Sequence, residues 1–195
     1  MQAQAFFADY LDRLQAALRR VDLGAVETLA LWLAAARADG SQVFLAGNGG
    51  SAANALHLAN DLLYTVSGRV GDGLRAHALT ANAATLTCLA NDVGYEQALA
   101  GQLAVLARPG DLLVCLSGSG DSPNILRALE QARAIGVRSC AVLGYGGGTA
   151  RALADLVLHV PVDDMQIAED AQLVLGLMVM QWLRGDAALG APGPG

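Results

Sequence analysis

From Ser41 onward the chain alternates short, continuously apolar runs with helical stretches, and this alternation restricts the possible folds more than any other feature. The apolar runs are 42–46, 74–79, 112–116, 139–143 and 156–160. The helical stretches fall at 51–64, 83–107 with a break near Asp92-Val93-Gly94, 123–135, 149–153 and 166–184. A strand that is apolar on both of its faces must be covered on both, and strands separated by helices pair in parallel. The pattern predicts an α/β fold: a five-stranded parallel sheet flanked by helices. Ahead of it, residues 4–37 read as two helices. Phe6, Phe7, Tyr10, Leu11, Leu14 and Leu18 recur at helical spacing, and an almost wholly apolar stretch then runs to Ala36. A helix apolar on most sides is buried on most sides, so this pair is expected to pack on neighbouring subunits as well as on its own domain. The division is therefore an N-terminal helical oligomerisation segment, 1–38, a single domain, 39–186, and a tail, 187–195, read as disordered.

Charge removes several functions. With 18 acidic against 12 basic residues the net charge is -6, the wrong sign for gripping nucleic acid or an anionic membrane surface. All 12 basic residues are arginine, so no Schiff-base lysine and no lysine on a nucleotide phosphate is available. Cys88, Cys115 and Cys140 lack CxxC spacing and sit in apolar runs, which reads as three reduced core thiols and a cytoplasmic protein. The first 20 residues have no basic stretch ahead of an apolar one, unlike a secretion signal.

In an open parallel sheet, ligands bind beyond the carboxyl ends of the strands, and two of these turns stand out. Gly47-Asn48-Gly49-Gly50-Ser51 follows the first strand and leads into a helix, whose free N–H groups and dipole favour an anion. Its glycines do not have the dinucleotide-binding spacing. Ser117-Gly118-Ser119-Gly120-Asp121-Ser122-Pro123 follows the third strand, Ser122-Pro123 being a helix start. Either turn can be read as an ordinary capped connection; together, hydroxyls and backbone amides could bind a phosphate monoester without lysine. After Ser51, Asn54, His57 and Asp61 share one helix face. His57 and Asp61, four apart, suit two ligands of one metal or a solvated polar stripe. Gln166, Glu169 and Gln172 recur every three residues in the last helix. Asn91 and Asp92 suit contacts to sugar hydroxyls or a plain turn between helices. Arg69 and Arg75 are the nearest positive charges after the His57 helix, available to a phosphate, an adjoining subunit or solvent.

The pair GNGGSAANALH at 47–57 and LSGSGDSPN at 116–124 resembles the sugar-isomerase (SIS) domain. With AlaAsnAspValGlyTyr at 90–95 and AlaGluAspAlaGln at 168–172, the chain resembles the phosphoheptose isomerases within that family. The resemblance implies a three-layer SIS sandwich, a homotetramer, no nucleic-acid or membrane partner, and interconversion of sedoheptulose 7-phosphate with a mannoheptose 7-phosphate. It implies that Asn48, Gly49, Ser51, Ser117, Gly118, Ser119 and Ser122 hold the sugar phosphate, with Asn91 and Asp92 near the sugar. Gly118 stands where the family usually has threonine, which removes a hydroxyl and leaves an amide. In the family the position of His57 is a zinc ligand, and that of Asp61 is a glutamate serving as ligand and catalytic base. Glu169 falls on a metal-ligand glutamine, and Leu177 on the catalytic, metal-binding histidine. What remains of a zinc site is His57, Asp61 and Glu169, and the catalytic candidates are Asp61 and Glu169. His77 and His159 read as sheet or core histidines. The expectation is a phosphoheptose isomerase. The alternative is a catalytically inactive SIS protein that senses a phosphosugar or scaffolds a partner, as one relative does with the bacterial replication initiator.

Overall fold

The computed structural model describes residues 2–189. Two helices, α1 (Ala3–Leu18) and α2 (Leu23–Asp39), precede β1 (Gln42–Ala46). There follow α3 (Gly49–Asn60), β2 (Arg75–Ala78), α4 (Ala83–Asp92), α5 (Ala98–Leu106) and β3 (Leu112–Ser117). The chain continues through α6 (Pro123–Ile135), β4 (Arg138–Leu143), α7 (Ala150–Leu153), β5 (Leu156–His159) and α8 (Met165–Leu189). The expected break in 83–107 is a 3₁₀ turn, Tyr95–Gln97, between α4 and α5. The last helix extends to Leu189, so residues 187–189, expected in the tail, are helical; 190–195 lie outside the described residues.

The sheet has the order β2-β1-β3-β4-β5, every pair parallel. Side chains alternate between its faces as strand geometry requires. Val43, Leu45, Leu112, Val114 and Leu116 face α1, α2, α3 and α8, while Phe44, Ala46, Leu113, Cys115 and Leu143 face α5, α6 and α7. These are two apolar cores on either side of one sheet, the three layers read from the sequence. Each fully buried Leu or Phe in them contributes roughly 1.5–3 kcal/mol. The chain leaves β1 for β2 on one side and returns to β3 on the other, so the connections diverge between β1 and β3 and leave a crevice at their carboxyl ends.

Two thiols are in the core, where burial pushes Cys115 up to about 12 and raises Cys140 further. Cys88 is a correction: it is exposed on α4, a helix with no buried residue, and donates to the Asp92 carboxylate at 3.4 Å. An apolar neighbourhood in sequence is no guide to which face of a helix is covered: Leu86 of α4 packs on the core while Cys88 faces outward. α1 is tied to its own domain, Tyr10 donating to Asp170 at 2.6 Å and Arg13 pairing with Asp164 at 2.6 Å.

Candidate functional site

Both anion-binding candidates lie at the divergence point, the first between β1 and α3, the second between β3 and α6. Asn48 occupies the N-cap of α3 and Ser122 that of α6, yet neither side chain caps its helix. The Ser122 backbone carbonyl accepts from the Ile125 and Leu126 amides, and its hydroxyl makes no capping bond. Ser119 is exposed, its hydroxyl accepting from the Asp121 amide at 3.3 Å, so its proton remains to be donated. Ser117 differs. It is buried and accepts from the Gly120 amide at 3.0 Å, which shapes the loop. Ser51 is buried in the first turn of α3.

A second glycine-rich connection, 144–148, closes over the serine loop. The Asp121 carboxylate accepts from both the backbone N–H and the hydroxyl of Thr149, each at 2.7 Å, and these bonds hold it below the usual carboxylate range. Gly120 has φ +72°, and a Cβ there would overlap the Gly147 carbonyl oxygen. Gly120→Ala is expected to destabilise the fold by about 2–4 kcal/mol, combining left-handed strain with overpacking, and to lower the unfolding temperature by several degrees. An unchanged melting curve would show that the loop accommodates the methyl group. A cavity of about 520 Å³ opens here, lined by Ser119, Asp121, Tyr145, Gly146, Gly148 and Met165. Tyr145 has φ +44°, its carbonyl accepting from His159 Nε2 at 2.8 Å, so His159 is a sheet-edge histidine supporting the cavity wall. Met165 Sδ occupies the space that a side chain at 118 would need. His77 stacks on Phe44, ring centroids 5.8 Å apart.

The structure uses Asn48 in a way its sequence position did not disclose. Its amide exchanges two hydrogen bonds with that of Asn124, at 2.9 and 2.8 Å, and its oxygen also accepts from the Tyr95 hydroxyl at 2.7 Å. Asn124 and Tyr95 each end a motif shared with the resembled family, at 116–124 and 90–95, but neither carried an expected role; a further signal for Asn124 is a polar residue in the first turn of an amphipathic helix, on its buried face. Asn91 and Asp92 end α4, bonded to each other at 2.8 Å, and it is Tyr95 that reaches the loops.

Along α3, His57 and Asp61 stand as a pair, Nε2 to Oδ2 3.4 Å. The Asp61 side chain is 10% exposed and that of His57 49%. Asp61 Oδ1 also accepts from Thr65 at 3.1 Å and Asn60 at 3.3 Å. Here the helix widens into a π turn, Asp61–Thr65, a local irregularity frequent at functional sites. A carbonyl at this turn is taken up from outside, Leu62 O accepting from the Leu74 amide at 2.8 Å.

Glu169 does not join this pair. Its carboxylate lies against Gly50, where a Cβ would overlap it, and its backbone carbonyl accepts from Asn54 at 2.8 Å. Gly50 and His57 are about 10 Å apart along the helix axis. Among the described residues no three His, Cys, Asp or Glu side chains converge as a metal centre would require. Of the three expected zinc ligands, His57 and Asp61 stand together, while Glu169 is held at the other end of α3. Leu177 is packed against the apolar core. Of the alternatives open to Arg75, its place favours solvent or an adjoining subunit over the phosphate. It begins β2, at the amino end of the sheet, and donates to the Gly40 carbonyl at 3.1 Å, away from both loops. Arg69 is exposed in the connection leading to that end.

Comparison with known proteins gives consistent matches. The SIS domain family matches residues 6–144. The phosphoheptose isomerase of Burkholderia pseudomallei strain K96243 is 41% identical over 177 residues, 90% of this chain and 83% of its own. That of Chlorobaculum parvum is 37% identical over 174 residues, 88% of this chain and 83% of its own. The solved phosphoheptose isomerase of Neisseria gonorrhoeae superposes with a TM-score of 0.86 at 27% identity, covering 94% of this chain and 97% of that one.

Proposed function

We propose, from the premise that this chain belongs to the SIS-domain family and within it to the phosphoheptose isomerases, that it interconverts sedoheptulose 7-phosphate and an aldoheptose 7-phosphate. The observation that carries this reading is the spacing of two unlike sites on α3. Two helix N-termini and the free hydroxyls of Ser119 and Ser122 meet at one end. The His57–Asp61 pair lies farther along, His57 about 9 Å from Ser51. A phosphate anchored at the loops leaves the far end of an extended seven-carbon chain in reach of the pair.

Aldose–ketose isomerisation moves a proton between C1 and C2 and shifts the carbonyl the other way. Asp61 is the base that removes the C1 proton of the ketose to give the enediolate, and the same proton is returned at C2. The half-exposed His57 is the group placed to exchange protons with Asp61 and with the oxygens of the enediolate. Glu169 sits at the phosphate end and takes no proton in this scheme. No step is routed through zinc.

One observation favours the second reading, a phosphosugar-binding protein without turnover. Leu177 brings an apolar side chain where the resembled enzymes have a proton-transfer histidine. Incubating the purified chain with sedoheptulose 7-phosphate and following aldose formation decides between them. Turnover supports the isomerase, and binding without turnover supports the sensor.

We also infer a homotetramer. Phe6, Phe7 and Leu11 on α1, Leu23 and Leu31 on α2, and Met178 and Trp182 on α8 are exposed in the single chain, an amount of apolar surface more typical of an interface. Light scattering at micromolar concentration is expected to give four times the chain's 20.0 kDa. A monomer overturns the inference.

A further inference from the structure

We propose that Asn124, with Asn48 and Tyr95, is a positioning clamp that sets the separation of the two phosphate-holding loops, and that Asn48 serves the ligand through this clamp rather than by touching it. Asn124 is 2% exposed, one place inside α6 from Pro123. Its oxygen accepts from Asn48 Nδ2 at 2.9 Å and from the Ile125 amide at 3.1 Å; its Nδ2 donates to Asn48 Oδ1 at 2.8 Å. Asn48 Oδ1 takes its second bond from Tyr95. Both amide oxygens therefore have their two lone pairs occupied, and Asn48 keeps a single N–H unassigned.

The geometry makes this network more than local. Asn48 occupies the N-cap position of α3 and Asn124 lies in the first turn of α6, 76 residues later, so the amide pair joins two helix N-termini that both face the crevice. Paired amides fix distance and orientation together, whereas apolar contacts would let the loops slide. Tyr95 adds the turn between α4 and α5 to the same oxygen, so three connections of the sheet are tied at one point. The proposal rests on the reading that a phosphate is held between the loops.

Calorimetric titration with inorganic phosphate and with sedoheptulose 7-phosphate tests it on wild type, Asn48→Ala, Asn124→Ala and the double variant. Each single change is expected to raise Kd about tenfold through lost hydrogen bonding and loop drift. The double variant is expected to be no weaker than either single one, because each change already opens the clamp. Additive losses would make Asn48 a direct ligand and overturn the proposal, as would an unchanged Kd for Asn124→Ala. Should the buried changes unfold the protein, Tyr95→Phe removes one bond from the exposed side; an expected rise in Kd of about threefold is then the readout, and no rise overturns the clamp. In turnover, a clamp on the phosphate raises KM with kcat nearly kept, while a merely destabilised fold lowers kcat at constant KM. Wild type that binds no phosphate ends both readings; binding with an additive cycle ends this one alone; binding without turnover ends only the isomerase.

Discussion

Asp61→Asn is expected to lower kcat on sedoheptulose 7-phosphate by about 10²–10⁴-fold, the usual contribution of a positioned general base. Asparagine has the same shape and keeps an acceptor for Thr65 and Asn60, whose bonds at 3.1 and 3.3 Å end on Asp61 Oδ1. The π turn is therefore expected to survive the change and KM to stay close to that of the wild type, because the phosphate is held elsewhere. What the variant loses is a basic oxygen beside His57. Asp61→Asn with undiminished turnover would remove Asp61 from the chemistry and move attention to His57 or Glu169. A variant with raised KM and normal kcat would instead make Asp61 a sugar-binding group.

The second large effect is expected at the serine loop. Ser119→Ala with Ser122→Ala is expected to weaken sugar-phosphate binding by about 10²-fold or more, since each hydroxyl would donate a charge-assisted bond worth roughly 1.5–3 kcal/mol. Stability should hardly move. Ser119 is exposed and the Ser122 hydroxyl makes no capping bond, so neither deletion leaves a buried partner unpaired. Calorimetry on the double variant, beside its melting curve, separates the two quantities. Equal affinity would place the phosphate outside this loop. Ser117→Ala is the useful contrast, because its buried hydroxyl accepts from Gly120 and its loss should be felt in the fold.

The layered fold was legible in the chain because it is written in local periodicity. Runs that are mostly apolar need cover on both faces, and all five became parallel strands within about one residue of the expected bounds, the exposed Arg75 and His77 marking β2 as the edge strand. The two Gly-Ser loops were legible for a similar reason: Gly-Ser turns directly after strands can only lie at the carboxyl end of the sheet. The break before α5 was likewise visible in Asp92-Val93-Gly94. Cys88 is exposed against expectation because hydrophobic neighbours in sequence do not show which face of a helix is covered.

Sequence alone thus determined the architecture, the end of the sheet that carries the two Gly-Ser loops, and the shared helix face of His57 and Asp61, all consequences of spacing along a single element. Tertiary structure decided what depends on two distant segments meeting. It set Asn48 against Asn124 and Tyr95, laid the Glu169 carboxylate on Gly50 instead of beside Asp61, and put Arg75 at the opposite end of the sheet from the two Gly-Ser loops. The physical reason is that a hydrogen bond or a close packing contact is a property of a pair. One member's residue type states what it can offer, and only the folded chain brings the other within 3 Å.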